Sequence, residues 1–257
     1  MDISLIINFL IAVLLGWFAG LTVNYISDSM PRYRRLGLPR CNNCNEQQPL
    51  VNYFIWPKHC PFCHTRRIAR VWITEIVYMV SSVWLWFSQS PDFGYGAAMI
   101  LLVYFGVVTV IDLEHRLILH TISLVGAILG LIIGTWLHGL IMTLLGGAAG
   151  FGIMLALYYL GYVFIKIVTR IRGQEIREVA LGFGDVNLSG VIGLLLGWPG
   201  IVAGLFLAIL LGAVISVIYI MYAVFKKEYR PDLALPYGPF LVASTVLLLI
   251  FRKILGG

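Results

Sequence analysis

Residues 181–188 read Leu181-Gly182-Phe183-Gly184-Asp185-Val186-Asn187-Leu188, and apolar sequence runs on from there to Trp198, so an aspartate stands behind two glycines at the mouth of a long apolar run. An ionised carboxylate is costly at the edge of hydrocarbon, so its default reading is functional, with a partner to be found. The comparable acid is Asp112, in Thr109-Val110-Ile111-Asp112-Leu113-Glu114-His115-Arg116. Most of the twelve acids lie in polar loops, where a solvated surface charge explains them; Asp112, Asp185 and Glu75 abut apolar runs on the inner side. Glu75, a turn into its run, is expected to snorkel or to serve as a helix-start charge, with an accessory role in the site as the alternative. Glu114 and His115 stand where they can tune the Asp112 proton, although adjacent loop residues are more often simply solvated.

Composition sets the solvent. At 60% hydrophobic and 12% charged residues over 257 positions, with mean hydropathy +0.92, the chain reads as a polytopic membrane protein rather than a water-soluble domain. Eight apolar runs follow one another, at Ile3 to Ile26 and at roughly 71–89, 94–111, 118–137, 140–168, 186–198, 199–225 and 237–255. The expected fold is all-α, a bundle of about eight transmembrane helices. Its expected parts are a first transmembrane helix over 1–27, a polar cytoplasmic loop over 28–70 and a seven-helix transmembrane body over 71–257. The first run resembles a signal sequence in position only; it has no basic residue ahead of it and is longer than a signal-peptide core, so a retained span is the expectation. The basic pI of about 9.2 reflects topology rather than nucleic-acid binding, because the basic residues sit between apolar runs with no extended basic domain.

Eight Lys and Arg lie in the 28–70 loop, one is Arg116, four are Lys166, Arg170, Arg172 and Arg177, and three are Lys226, Lys227 and Arg230. With the amino terminus outside, these fall on one side, which the positive-inside rule makes cytoplasmic; Arg252 and Lys253 are the exceptions. Asp112 then ends an inward-running span and Asp185 begins an outward-running one, so the two acids are expected at the same, cytoplasmic face. Gly182 and Gly184 flank the second acid in what reads as a non-helical entry, where glycine permits unusual backbone and lets a substrate strand come close. Gly146 and Gly150, and Gly200, Gly204, Ala208 and Gly212, read as small faces on which membrane helices pack.

Two carboxyl groups sharing a site do not both ionise easily, so a pair holds one proton between them near neutrality. The ionised member can take a proton from water as it attacks a peptide carbonyl, while the protonated one donates to the carbonyl oxygen. The chain contains no Gly-x-Ser-x-Gly elbow and no His-Glu-x-x-His to suggest a rival hydrolytic site. Cys41-x2-Cys44 and Cys60-x2-Cys63, fifteen residues apart, read as a structural tetrahedral Zn2+ site that clips a loop with few apolar residues. Disulfides are the alternative, disfavoured on a reducing cytoplasmic side. His59 and His64 read as bystanders.

These residues together resemble a family, the type IV prepilin peptidases, membrane aspartyl proteases of the A24 class. The likeness runs through Asn24 to Pro31, the two Cys-x-x-Cys pairs, Ile111-Asp112 to Ile118, Gly182-Phe183-Gly184-Asp185 and Pro236-Tyr237-Gly238-Pro239. The resemblance implies cleavage of the short basic leader of type IV prepilins or pseudopilins at the cytoplasmic face of the inner membrane, with Asp112 and Asp185 as the catalytic pair. It also implies S-adenosylmethionine as a cofactor for N-methylation of the new terminus, an activity of the amino-terminal part, where Asn24 belongs to the family pattern. The family's Gly-Ser-Phe-Leu-Asn-Val reads Gly20-Leu21-Thr22-Val23-Asn24-Tyr25 here, its Pro-Asp reads Leu119-His120, and its Lys two residues after the second Asp is Asn187. Proteolysis is the firmer of the two implied activities. A presenilin-type intramembrane protease would share the acid pair without a reason for the cysteine loop, and a transporter would hold its acids near the midplane rather than at one face.

Overall fold

The computed structural model describes residues 3–33, 37–41, 43–54, 59–88, 94–172, 182–226 and 236–255. Leu181 and, from the charge argument, Arg34, Arg35, Lys58, Arg177, Lys227 and Arg230 lie outside them. The described residues are almost wholly helical: α1 (Ile3–Tyr33), α2 (Leu50–Phe54), α3 (Ala69–Phe87), α4 (Gly94–His115), α5 (His120–His138), α6 (Leu140–Arg172), α7 (Phe183–Leu196), α8 (Gly200–Phe225) and α9 (Gly238–Leu255). Each expected apolar run appears as one helix, and α1 continues past the end of its run to Tyr33. Five helices, α1, α4, α5, α6 and α8, are long and apolar enough to cross a membrane. α3, α7 and α9 are not among those five. α7, and α9 over Gly238–Ile250, are too short, and Arg70, Thr74, Glu75, Ser81 and Ser82 dilute α3. Large apolar side chains such as Leu14, Phe18, Ile132, Phe206 and Phe225 are exposed on the helices. Apolar surface on that scale suits hydrocarbon, not water.

The chain forms two compact units, Met1–Ile111 and Asp112–Gly257. In the first, α1 and α3 zip together along a row of small or polar residues spaced four apart on α1. A Cβ on Gly16 would strike the backbone of Tyr78 and Met79, and one on Gly20 would lie 2.8 Å from Cα of Glu75. Ser82 donates to the carbonyl of Ala12. Asn24 Nδ2 donates to the carbonyl of Val71 at 3.1 Å, and Arg70 pairs with Asp28. Backbones this close gain dispersion contacts that bulkier residues would forbid, which is how helices associate where no hydrophobic force acts between them.

In the second unit α7 is the central rod. It is only about 21 Å long at 1.5 Å per residue, and nine of its fourteen residues are buried, because α5, α6, α8 and α9 all pack on it. Glycine makes the approach possible. Gly146 and Gly150 lie against the carbonyls of Gly193 and Ser189, and Gly130 lies against Leu194 and Val191. On α8, Gly204 meets Leu196 and Gly212 meets Phe240, and Ala208 is fully buried. The small residues singled out in α6 and α8 thus serve close packing.

Candidate active site and metal centre

Asp185 is the third residue of α7. Its carboxylate accepts a hydrogen bond from the Gly182 N–H at 3.1 Å, while its own N–H donates to the Gly182 carbonyl at 3.0 Å. This is the returning half of a capping box; Gly182 has no side chain to supply the other half. The first N–H groups of any helix lack internal partners, and the amino end carries partial positive charge, so a carboxylate there is stabilised. Asp112 lies in the last turn of α4, the wrong end for an anion. The deficit is made good by another helix: the N–H of Gly238, first residue of α9, donates to Asp112 Oδ2 at 3.0 Å across 126 positions of sequence. Each acid is therefore held by an N–H at the start of a helix. Both are buried, at 5% and 8% exposure.

The two carboxyl groups lie within electrostatic reach of each other, and the Arg116 charge reaches Asp112. Arg116 turns the chain out of α4 in the left-handed region, at φ 53°, a conformation uncommon for a residue with a side chain. Asp185 in turn acts on Tyr237. Gly184 is needed for contact: a Cβ there would come within 2.8 Å of Ile118 Cβ, so this glycine lets the segment after Asp112 close onto the first turn of α7. Among the described residues a Cβ on Gly182 would meet the Asp185 carboxylate at 3.5 Å, and the backbone there is extended at φ −80°. Neither glycine has left-handed backbone, so proximity rather than unusual φ explains Gly184.

The other residues picked from sequence belong elsewhere. Glu114 is exposed at the end of α4. Glu75 does not snorkel: it is 3% exposed and accepts a hydrogen bond from Trp17 Nε1 at 3.2 Å between α1 and α3. Asn24 is fully buried in the same interface. Sequence reasoning did not single out Gly238, Arg116 or Tyr237 as site residues. The Pro236-x-Gly-Pro239 pattern was visible, but nothing local says that its glycine reaches Asp112.

The four cysteines form a second centre, in the first unit. Their sulphurs lie within 4.8 Å of one another, at 3.5 Å for Cys41–Cys63 and 3.5 Å for Cys44–Cys60. That spacing is too long for a disulfide and close to the edge, about 3.8 Å, of a tetrahedron with metal–sulphur bonds of about 2.3 Å. The donor set therefore fits a tetrahedral metal ion. Two identical knuckles build it. Residues 40 and 47 bridge, as do 59 and 66. Cys41 N–H donates to Glu46 and Cys60 N–H to Thr65, and Asn45 and His64 each donate back to the first cysteine of their knuckle. Asn45 and His64 take φ of 60° and 54°, so His64 shapes a turn. A hydrogen bond with the Thr65 hydroxyl, together with the Thr65 backbone, lowers the Cys63 thiol to about 6, toward the thiolate that metals bind.

A buried acid pair held by main chain beside long apolar helices is the arrangement that membrane aspartyl peptidase chemistry requires. Residues 99–217, just under half of the chain, match the model of the type IV leader peptidase family. It is 27% identical over 212 residues to the prepilin leader peptidase/N-methyltransferase of Aeromonas salmonicida strain A449, covering 80% of this chain and 67% of that protein. It is 29% identical over 232 residues to the Pectobacterium carotovorum protein of the same name, covering 86% and 77%. A third relative, the type 4 prepilin-like proteins leader peptide-processing enzyme of Escherichia coli O78:H11, is 27% identical over 220 residues, covering 80% and 73%. No solved structure gives a significant match.

Proposed function

We propose that this chain is a prepilin leader peptidase in which Asp112 and Asp185 share one proton and hydrolyse the peptide bond after the basic leader of a prepilin or pseudopilin. The observation that carries the reading is the pair itself: two buried carboxyl groups in one compact unit, in electrostatic reach, each with one oxygen fixed by a backbone N–H. The fixed oxygens leave the other oxygen of each acid for water and substrate. The ionised acid takes a proton as water oxygen bonds to the carbonyl carbon, and the protonated acid donates to the carbonyl oxygen. Collapse of that tetrahedral species breaks the C–N bond, and the leaving amine takes a proton from the pair.

The bilayer position follows from the same reading. α3, α7 and α9 join the five long helices as membrane elements, making eight, with the amino terminus outside and the acid pair at the cytoplasmic face of the inner membrane. The parts are then a first helix over 1–27, a metal-clipped loop over 28–70 and a peptidase body over 71–257, with no nucleic-acid partner. The metal is Zn2+, bound by Cys41, Cys44, Cys60 and Cys63 in a structural role, because four thiolates fill a tetrahedron and leave no open position for chemistry. The relatives' printed names favour a second activity, methylation of the new amino terminus from S-adenosylmethionine, assigned here to the amino-terminal part that carries Asn24.

The test is cleavage of a model prepilin by membranes carrying Asp112→Asn or Asp185→Asn. Each variant is expected to lose at least the 10²-fold or so typical of a general acid–base group while expression and metal content stay normal. Glu114→Gln is expected to remain close to the parent. Retention of cleavage within about tenfold by either Asn variant refutes the pair at that residue.

A further inference from the structure

A cavity of about 260 Å³ opens in the first unit where the end of α1, the cysteine knuckles and the start of α3 meet. Arg40, Arg66, Arg67 and Arg70 line it against one carboxylate, Asp28. Asp28 is already engaged, accepting from Arg70 and from the Tyr53 hydroxyl. Arg67 lies flat over the Tyr53 ring at 3.4 Å, and its Nη1 is buried without a hydrogen-bond partner among the described residues. A buried guanidinium N–H left without an acceptor is costly. Four like charges around one cavity add to that cost, and Asp28 together with Glu75, which reaches Arg67 electrostatically, are the carboxylates set against them. An anion in the cavity would supply the acceptor that Arg67 Nη1 lacks.

Its position narrows the choice. Asp28 belongs to the last turns of α1 and Arg70 to the first turn of α3, so the cavity opens at one end of an apolar helix pair, where hydrocarbon gives way to head groups. Ile68 lines the cavity and is 54% exposed, and Trp72 and Ile73, 40% and 60% exposed, continue that surface along α3. A tryptophan at this level suits the membrane interface. Planar guanidinium groups match phosphate oxygens two at a time, and basic pockets beside membrane helices hold anionic head groups. We propose that this cavity binds the phosphate of an anionic phospholipid, with Arg66 and Arg67 on the phosphate oxygens and the acyl chains along Ile68, Trp72 and Ile73. The inference does not rest on the peptidase reading: a basic leader is repelled here, and the acid pair belongs to the other unit.

The experiment is native mass spectrometry of the purified full chain in detergent with short-chain phosphatidylglycerol, phosphatidylcholine or inorganic phosphate. Phosphatidylglycerol is expected to be retained at one site in preference to phosphatidylcholine. Arg66→Gln/Arg67→Gln is expected to weaken it about tenfold or more, the scale of a lost charge-assisted hydrogen bond, with metal content unchanged. Arg66→Gln alone, at an exposed position, tests the site if the double variant does not fold, and should lower retention in the same direction. Lys226→Gln, a basic residue of the other unit, should leave it unchanged. Equal retention of both lipids, or a phosphatidylglycerol preference untouched by Arg66→Gln, overturns the proposal. Displacement of the lipid by millimolar phosphate assigns the site to the free anion instead.

Discussion

At the scale of single residues, the two acids are held by backbone donors, and the glycine that supplies one of them has little room. A Cβ at Gly238 would fall on the Asp112 carboxylate. Gly238→Ala is therefore expected to displace that carboxylate and lower leader cleavage about 10²-fold, as a misplacement of about 1 Å does, without loss of protein or metal. Gly182→Ala, with only the Asp185 carboxylate and the Gly184 backbone within 4 Å among the described residues, is expected to stay within about threefold of the parent; assays of cleavage side by side check both. Sequence made the acids legible because a charge beside an apolar run has few bland explanations. It could not reveal their holders. Gly238 is 126 positions from Asp112, and an N–H is present at every non-proline residue. Glu75 was misjudged for a related reason. Position near the start of a run suggested an escape to the polar edge, whereas its neighbour turned out to be Trp17, 58 positions away.

Among elements, apolar runs mapped onto helices one for one, since hydrocarbon leaves the backbone almost no other way to satisfy its polar groups. What the runs did not contain was which faces meet. The small residues of α6 were noticed, but the row Ala12, Gly16, Gly20, Asn24 and Asp28 on α1 was not, because two of its members are polar and the partner surface lies on α3. Gly16→Leu is expected to push α3 away and cost 1–3 kcal/mol or more, the range for overpacking, read as a drop in the thermal midpoint of detergent-purified protein. Leu14→Met, on the exposed face two positions before, should leave the midpoint unchanged within about 1 °C, since exposed substitutions usually have little effect. The repeated knuckles are an element-scale case in which sequence was sufficient. Residues 40–47 and 59–66 place their cysteines, turns and bridges at the same offsets, so the Cys-x2-Cys spacing carried nearly all of the geometry. Cys41→Ser/Cys60→Ser is expected to abolish a metal content of about one equivalent per chain, measured on purified protein.

For the whole molecule, the orientation proposed from charge makes a further demand. Trp136, 74% exposed near the end of α5, should face outward, and Lys226, at the end of α8, should face inward. Single cysteines at these positions, probed on intact cells with a membrane-impermeant thiol reagent, are expected to label at Trp136→Cys and not at Lys226→Cys; the reverse pattern inverts the topology. The main-chain grip on the acids also bears on how such an enzyme changes over generations. A donor carried by the backbone is not encoded by any particular side chain, so mutation around the site can vary shape and charge without removing what holds either carboxylate. On the proposed reading, drift can then retune which leader is accepted while the chemistry stays insulated, and the cost of that freedom is concentrated at one codon, that of Gly238, where any side chain at all intrudes on the acid.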